Sequence, residues 1–254
     1  MMMVNNCRIA SAIFFLLTVC GALHAQDYVV LGFGFGSKQL KAASLDKFRD
    51  TYNAANSGIL IKGMDGLTNG YGPMLSVAFR RVAPLNFAAR GGWHTLKGID
   101  TAQYQSSFRN ISLEMKGFFT EYEMGYWRKD FFLNGLVGYE FRRQWALQSQ
   151  GQGETRNPLT GNFESAPSTV IYVGTSFGHT KNGINFVGRV YYPVMLGNGS
   201  YFFNPDPNRV DNERAYFPGD FEGYLYSANY ERLKSNIGGW TFQFVLEIGI
   251  PLQD

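Results

Sequence analysis

From Trp240 to Leu252 the chain alternates without a break. Trp240, Phe242, Phe244, Leu246, Ile248, Ile250 and Leu252 share one parity, and Thr241, Gln243, Val245, Glu247, Gly249 and Pro251 share the other. Side chains of a strand point alternately to its two faces, so this segment reads as a long strand with one wholly apolar face and one small or polar face. Such a face must be covered, either by a second sheet in a soluble sandwich or by lipid around a barrel. Strands of about ten residues are the length that spans a bilayer.

The same period recurs along the chain. Apolar faces are Val29-Leu31-Phe33-Phe35, Tyr71-Pro73-Leu75-Val77-Phe79, Leu85-Phe87-Ala89-Gly91-Trp93, Phe131-Leu133-Gly135-Val137-Tyr139-Phe141, Ile171-Val173-Thr175-Phe177 and Ile184-Phe186-Gly188-Val190-Tyr192-Val194. An eighth strand, from about Arg109 to Trp127, changes parity: Ile111, Leu113 and Met115 are odd, whereas Phe118, Tyr122, Met124 and Tyr126 are even. Either a β-bulge near Gly117 to Thr120 restores both sets to one face, or only the part after Lys116 lies in the membrane and the first half projects above it. The second reading is preferred.

The connections separate barrel from sandwich. Short turns at Arg81 to Pro84, Arg128 to Asp130 and Thr180 to Gly183 alternate with long connections at about 37–69, 97–107, 149–167 and 197–239. Short turns at one end and long loops at the other are the habit of outer-membrane barrels, and Asn182-Gly183 suits a type I′ hairpin turn. The expected fold is all-β: an eight-stranded antiparallel up-and-down transmembrane β-barrel with long extracellular loops and both termini periplasmic. One loop carries a short helix, in which Ser44 is the expected N-cap, Leu45, Phe48 and Tyr52 form one face, Gly58 is the stop, and the whole lies across the barrel mouth. In the last loop Glu222 to Tyr230 alternates like a strand.

The amino-terminal residues fit export. Arg8 precedes an apolar run, Ile9 to Val19, that ends in the small-residue stretch Gly21 to Ala25, so 1–25 reads as a signal peptide cleaved after Ala25 and 26–254 as one barrel domain. No segment approaches the ~20 apolar residues of a membrane helix. Both cysteines, Cys7 and Cys20, fall in the segment to be removed, which leaves the mature chain without thiol chemistry; a rival reading makes Cys20 a lipidation site. With formal charge near zero in the mature chain and no Lys/Arg run, no nucleic acid is expected as partner. The 30 glycines and 22 phenylalanines of the chain favour sheet over helix.

With the apolar faces outward, the interior collects Arg80, Arg90, Arg142 and Arg189 with Glu121, Glu123, Glu140 and Glu247. An eight-stranded barrel is just wide enough for its own side chains, so these charges are expected to interlock as an ion-pair network that plugs the lumen. The alternative is a narrow porin-like channel for small solutes. A lipid-modifying enzyme is a third reading, for which His94 with Ser106 or Ser107 is the available constellation, although their spacing matches no nucleophile motif; His179 reads as a turn or interfacial residue. Asp206 to Glu213 clusters oxygen ligands without the spacing of an EF-hand. Gly32-Phe33-Gly34-Phe35-Gly36 lies inside a strand and reads as close packing in the barrel wall, not as a nucleotide loop. Trp93, Tyr126, Trp127, Tyr139, Phe141 and Trp240 fall near strand ends, where aromatic girdles are expected. No catalytic, metal or cofactor-binding residue is assigned.

The signal peptide, the first strand Val29 to Gly36, the Ser44 to Asn53 segment and the last strand Trp240 to Leu252 together resemble small outer-membrane β-barrel proteins of the OmpA/OmpX-like kind, in particular the glycine- and aromatic-rich barrels of Bacteroidetes. Families of this shape include adhesins, structural anchors, small porins and subunits of secretion machinery. The resemblance implies outer-membrane lipid as surroundings, and a structural or binding role through extracellular loops or as subunit of an envelope complex, with another envelope protein as a possible partner.

Overall fold

The computed structural model describes residues 26–83, 85–152, 162–181, 183–197, 202–203 and 234–252. The leader with its two cysteines, the acidic segment Asp206 to Glu213 and the alternating segment Glu222 to Tyr230 lie outside the described residues.

Eight strands form the ring: β1 (Gln26–Gln39), β3 (Asn69–Val82), β4 (Leu85–Tyr104), β5 (Phe108–Arg128), β6 (Phe131–Gly151), β8 (Ser168–Lys181), β9 (Ile184–Leu196) and β11 (Thr241–Pro251). Each pairs antiparallel with its neighbour in the ring, and β1 closes on β11 from Tyr28↔Pro251 to Lys38↔Thr241. Three short strands, β2 (Leu60–Lys62), β7 (Asn162–Ser165) and β10 (Phe202–Phe203), add to β4, β6 and β7. Closure leaves the ring with no unpaired edge, which is what lets strands stand in hydrocarbon. Among the described residues no helix is long and apolar enough to cross a membrane.

The outer surface carries the belt. Phe244 is 74% exposed, Phe131 65% and Phe186 61%, values that in water would be a liability and in lipid are the source of stability. Eleven residues from Phe131 to Phe141, tilted as in such barrels, rise about 25 Å, the height of an outer-membrane apolar band.

Above the belt the barrel turns inside out. Strand β5 shows it: Ile111, Leu113, Met115, Phe119, Glu121 and Glu123 are all buried on one continuous face, and the β4–β5 register runs unbroken from Leu85↔Tyr126 to Gln103↔Phe108. The change of apolar parity therefore marks no bulge in β5. Below Lys116 the outside is lipid and the inside polar; above it the outside is water and the inside apolar. The connection expected at 97–107 is correspondingly a correction, because β4 and β5 run on as an extended hairpin and only 105–107 turn. The projecting hairpin has an apolar inner face, so it needs an internal core and not a long loop.

Helix α1 (Ala43–Ala55) supplies that core. Leu45, Phe48 and Tyr52 are buried with Leu96, Ile111, Leu113, Met115, Trp145 and Leu147 in one cluster, and the Tyr52 hydroxyl hydrogen-bonds that of Tyr104. The caps differ from expectation. Ala42 is the N-cap and makes no side-chain cap bond, while the buried Ser44 hydroxyl has no partner among the described residues; packing against the strands holds the helix start in place of a cap. The helix stops at Asn56, whose main-chain N–H and side-chain amide both donate to Tyr52 O at 3.1 and 2.9 Å, two residues before Gly58.

Candidate functional site

At the level of the belt, inward parity brings Arg80 from β3, Arg90 from β4, Glu121 and Glu123 from β5, Arg189 from β9 and Glu247 from β11 into one layer. All six are 3% exposed or less. Glu247 is the hub: Arg80 Nη1 lies 2.8 Å from its Oε2, and Arg90 Nη2 and Arg189 Nη2 lie 2.7 and 2.6 Å from its Oε1. Asn185 Nδ2 donates to Oε2 at 3.2 Å.

Glu123 sits 3.2 Å from Arg90, 3.4 Å from Arg189 and 3.6 Å from Arg80, and accepts from Ser176 Oγ at 2.8 Å and Asn134 Nδ2 at 3.2 Å. Glu121 faces Arg90 Nε at 3.5 Å and accepts from the Tyr172 hydroxyl at 2.9 Å. Three cations thus meet three carboxylates, each held by neutral donors as well, which is the condition under which buried charge is tolerated. Room for the guanidinium plane comes from a bare wall: a Cβ at Gly32 would stand 2.4 Å from Ser76 Oγ and 3.5 Å from Arg90 Nη1.

Two of the expected network residues fall elsewhere. Glu140, buried, does not join the layer; it binds His94 Nε2 at 2.7 Å, and Gly117 makes room for the pair, since a Cβ there would come within 2.8 Å of Glu140 Oε1. Arg142 is not inside at all. Lys116 pairs with Gln144 and Phe118 with Phe141, so β6 carries an extra residue opposite Gly117; Arg142 takes it up at φ 52° and points outward, exposed. Arg143 takes the inward place, 1% exposed, with Nη1 donating to Ile237 O at 3.3 Å and its guanidinium 5.6 Å from the Trp145 ring. A bulge shifts parity by one, which strict alternation through β6 could not foresee.

Lys38 was also missed. It shares the inward parity of Gly32, Gly34 and Gly36, so the signal was present in the sequence, and it is 3% exposed with Nζ 3.4 Å from Thr241 Oγ1.

Below the layer, a cavity of about 210 Å³ lined by Tyr28, Val30, Trp127, Lys129 and Asn185 ends on Arg80, whose guanidinium stands over Phe132 at 4.9 Å. Above it, the α1 core fills the bore. The constellation of His94 with Ser106 or Ser107 does not form: His94 is buried against Glu140, whereas both serines sit at the tip of the β4–β5 hairpin, about 35 Å further along at the rise of a strand. His179 lies beside the short β8–β9 turn against Phe131, ring centroids 4.7 Å apart. Among the described residues no group of three or more His, Cys, Asp or Glu side chains is placed to hold a metal.

The aromatics fall at two levels, with Tyr126 and Trp127 beside the β5–β6 turn and Trp93, Tyr139, Phe141 and Trp240 at the upper rim. Tyr192 and Trp240 meet there at 5.0 Å. Fold and interior together define a closed antiparallel β-barrel with a lipid-type belt, a charge-filled lumen and a core-filled extension above it.

No family model matches the chain, and no curated protein is similar to it. Solved structures that it resembles include Ail, the attachment invasion locus protein of Yersinia pestis, in complex with the heparin analogue sucrose octasulfate, at 7% identity and a TM-score of 0.46 over 89% of this chain and 99% of that one. The outer membrane protease OmpT of Escherichia coli is another, at 10% identity and a TM-score of 0.35 over 89% and 94%.

Proposed function

We propose that this chain is an outer-membrane β-barrel that neither conducts nor catalyses, and that its role is carried by the surface standing above the membrane. The supporting observation is the inversion along β4, β5 and β6. A chain whose only task was to span lipid would have no use for strands of 20 and 21 residues, about twice the length that crosses the band. The extra length, given its own apolar core by α1, makes a rigid platform of the kind that holds binding surfaces in place. On this reading 1–25 is an export signal, the short turns face the periplasm and the β4–β5 tip faces outward, where it meets a ligand or another envelope protein. The filled lumen supports the non-conducting part, because any ion would have to part three arginines from three carboxylates.

Planar-bilayer recording of the purified barrel tests it. The expected trace has no steady unitary steps, whereas reproducible ion-selective steps from the wild-type protein would replace the plug by a narrow channel. Enzymatic action on lipid is tested separately by lipid A mass spectra after expression, expected to be unchanged.

A further inference from the structure

Among the described residues, the charges of the lumen balance in one layer and fail to balance in the next. In the layer of Arg80, Arg90 and Arg189, three cations face three carboxylates. One level up, at the upper rim of the belt, Lys38, Arg143, His94 and Glu140 point inward and all are 3% exposed or less. Lys38 and Arg143 bring two positive charges and Glu140 one negative. A neutral His94 leaves one positive charge in excess, and a protonated one leaves two.

Glu140 is committed to His94 at 2.7 Å and forms no ion pair within 4 Å of either cation, although all three act on one another through space. Among the described residues, Lys38 has one long bond, to Thr241 Oγ1 at 3.4 Å; Arg143 has one, to Ile237 O at 3.3 Å, and its Nε is buried with no partner. His94 Nδ1 is likewise buried and unpartnered. Around them the walls are apolar or neutral, with Trp145 and Ile237 above, fully buried, and Tyr191 and Gln243 hydrogen-bonded to each other at 2.9 Å.

An uncompensated buried cation is among the costliest things a protein can contain. A guanidinium cannot relieve the cost by giving up its proton.

We infer that Lys38 and Arg143 hold a small monovalent anion of halide type in the lumen, between the charged layer and the α1 core. The free Arg143 Nε–H and the remaining Lys38 Nζ–H bonds are its donors, and with His94 neutral its single charge closes the sum that Glu140 leaves open. A doubly charged phosphate or sulfate would overshoot that sum. The site does not depend on what the outer surface binds, so a barrel with no partner at all would still carry it.

The test is the thermal unfolding midpoint of the refolded protein in detergent, at constant ionic strength, as sodium gluconate is replaced by sodium chloride or bromide. The wild-type midpoint is expected to rise and saturate with halide. Arg143→Met and Lys38→Met are each expected to lose that rise, whatever their own midpoints. Crystals of the wild-type protein grown in bromide are expected to show an anomalous peak between Arg143 Nε and Lys38 Nζ, a readout that stands if either variant fails to fold. A wild-type midpoint indifferent to halide, a rise retained in both variants, or bromide crystals without the peak would overturn the proposal and leave a neutral Lys38 as the way the charge is relieved.

Discussion

Replacing Glu247 by glutamine removes one charge from the centre of the lumen and almost no volume. In the native layer this carboxylate stands within 2.8 Å of three guanidinium groups and is wholly buried. At an effective dielectric of 20, a single contact at that distance carries about 6 kcal/mol of Coulomb energy before desolvation is counted. Most of that is offset by the cost of taking the ions from water. What remains when one partner of a buried pair is deleted is about 3–5 kcal/mol, because the surviving charge stays buried without its counterion. Glu247→Gln leaves three arginines facing two carboxylates, so we expect a loss in that range, read as the urea midpoint of the barrel folded into lipid vesicles and followed by its heat-modified gel mobility.

The decisive companion is the double variant Glu247→Gln/Arg189→Met, which restores equal numbers of each sign. It is expected to be more stable than the sum of the two single losses predicts, by about 0.5–3 kcal/mol as for other directly contacting residues. A single variant that costs under about 1 kcal/mol, or a double variant that is strictly additive, would refute the claim that these charges act as one layer.

Two further outcomes follow from particular residues. Arg142 holds φ at 52°, a conformation that costs an L residue roughly 1–2 kcal/mol, so Arg142→Gly is expected to raise the urea midpoint by an amount worth about 1 kcal/mol, while Arg143→Gly, one residue on, lowers it. The two signs together locate the bulge. Phe48→Ala empties part of the core above the membrane and is expected to cost that upper part about 3 kcal/mol. Limited proteolysis should then cut near residues 56–59 faster than in wild type, with the heat-modified mobility of the spanning barrel unchanged; loss of both together would mean that the two levels are one cooperative unit.

How much of this was legible beforehand can be judged strand by strand. The period-two pattern specifies faces, because side-chain direction in a strand is a local property of the backbone, and so Arg80, Arg90, Glu121, Glu123, Arg189 and Glu247 could be sorted by parity alone. The helix face of Leu45, Phe48 and Tyr52 was legible for the same reason at the helical period. Its start at Ala42, where Ser44 had been the expected cap, was not, since helix ends here are set by what the turn packs against. Parity failed at Arg142, where one extra residue in β6 exchanges inside for outside, and nothing in the string Phe141-Arg142-Arg143-Gln144 announces which arginine yields.

The long alternating segment ending at Leu252 by itself determined that this chain makes strands with one lipid-ready face, and the order of short and long connections determined how they join. Only the tertiary structure decided where that face stops being outside. The odd apolar residues Ile111, Leu113 and Met115 belong to the interior because the hairpin rises out of lipid into water, and the environment on each side of a strand is fixed by its neighbours around the ring. Which charges meet, that Glu140 prefers His94, and that it leaves Lys38 and Arg143 without an ion pair among the described residues were likewise decided across the lumen, at distances of a few ångströms between residues as far as 203 positions apart in the chain.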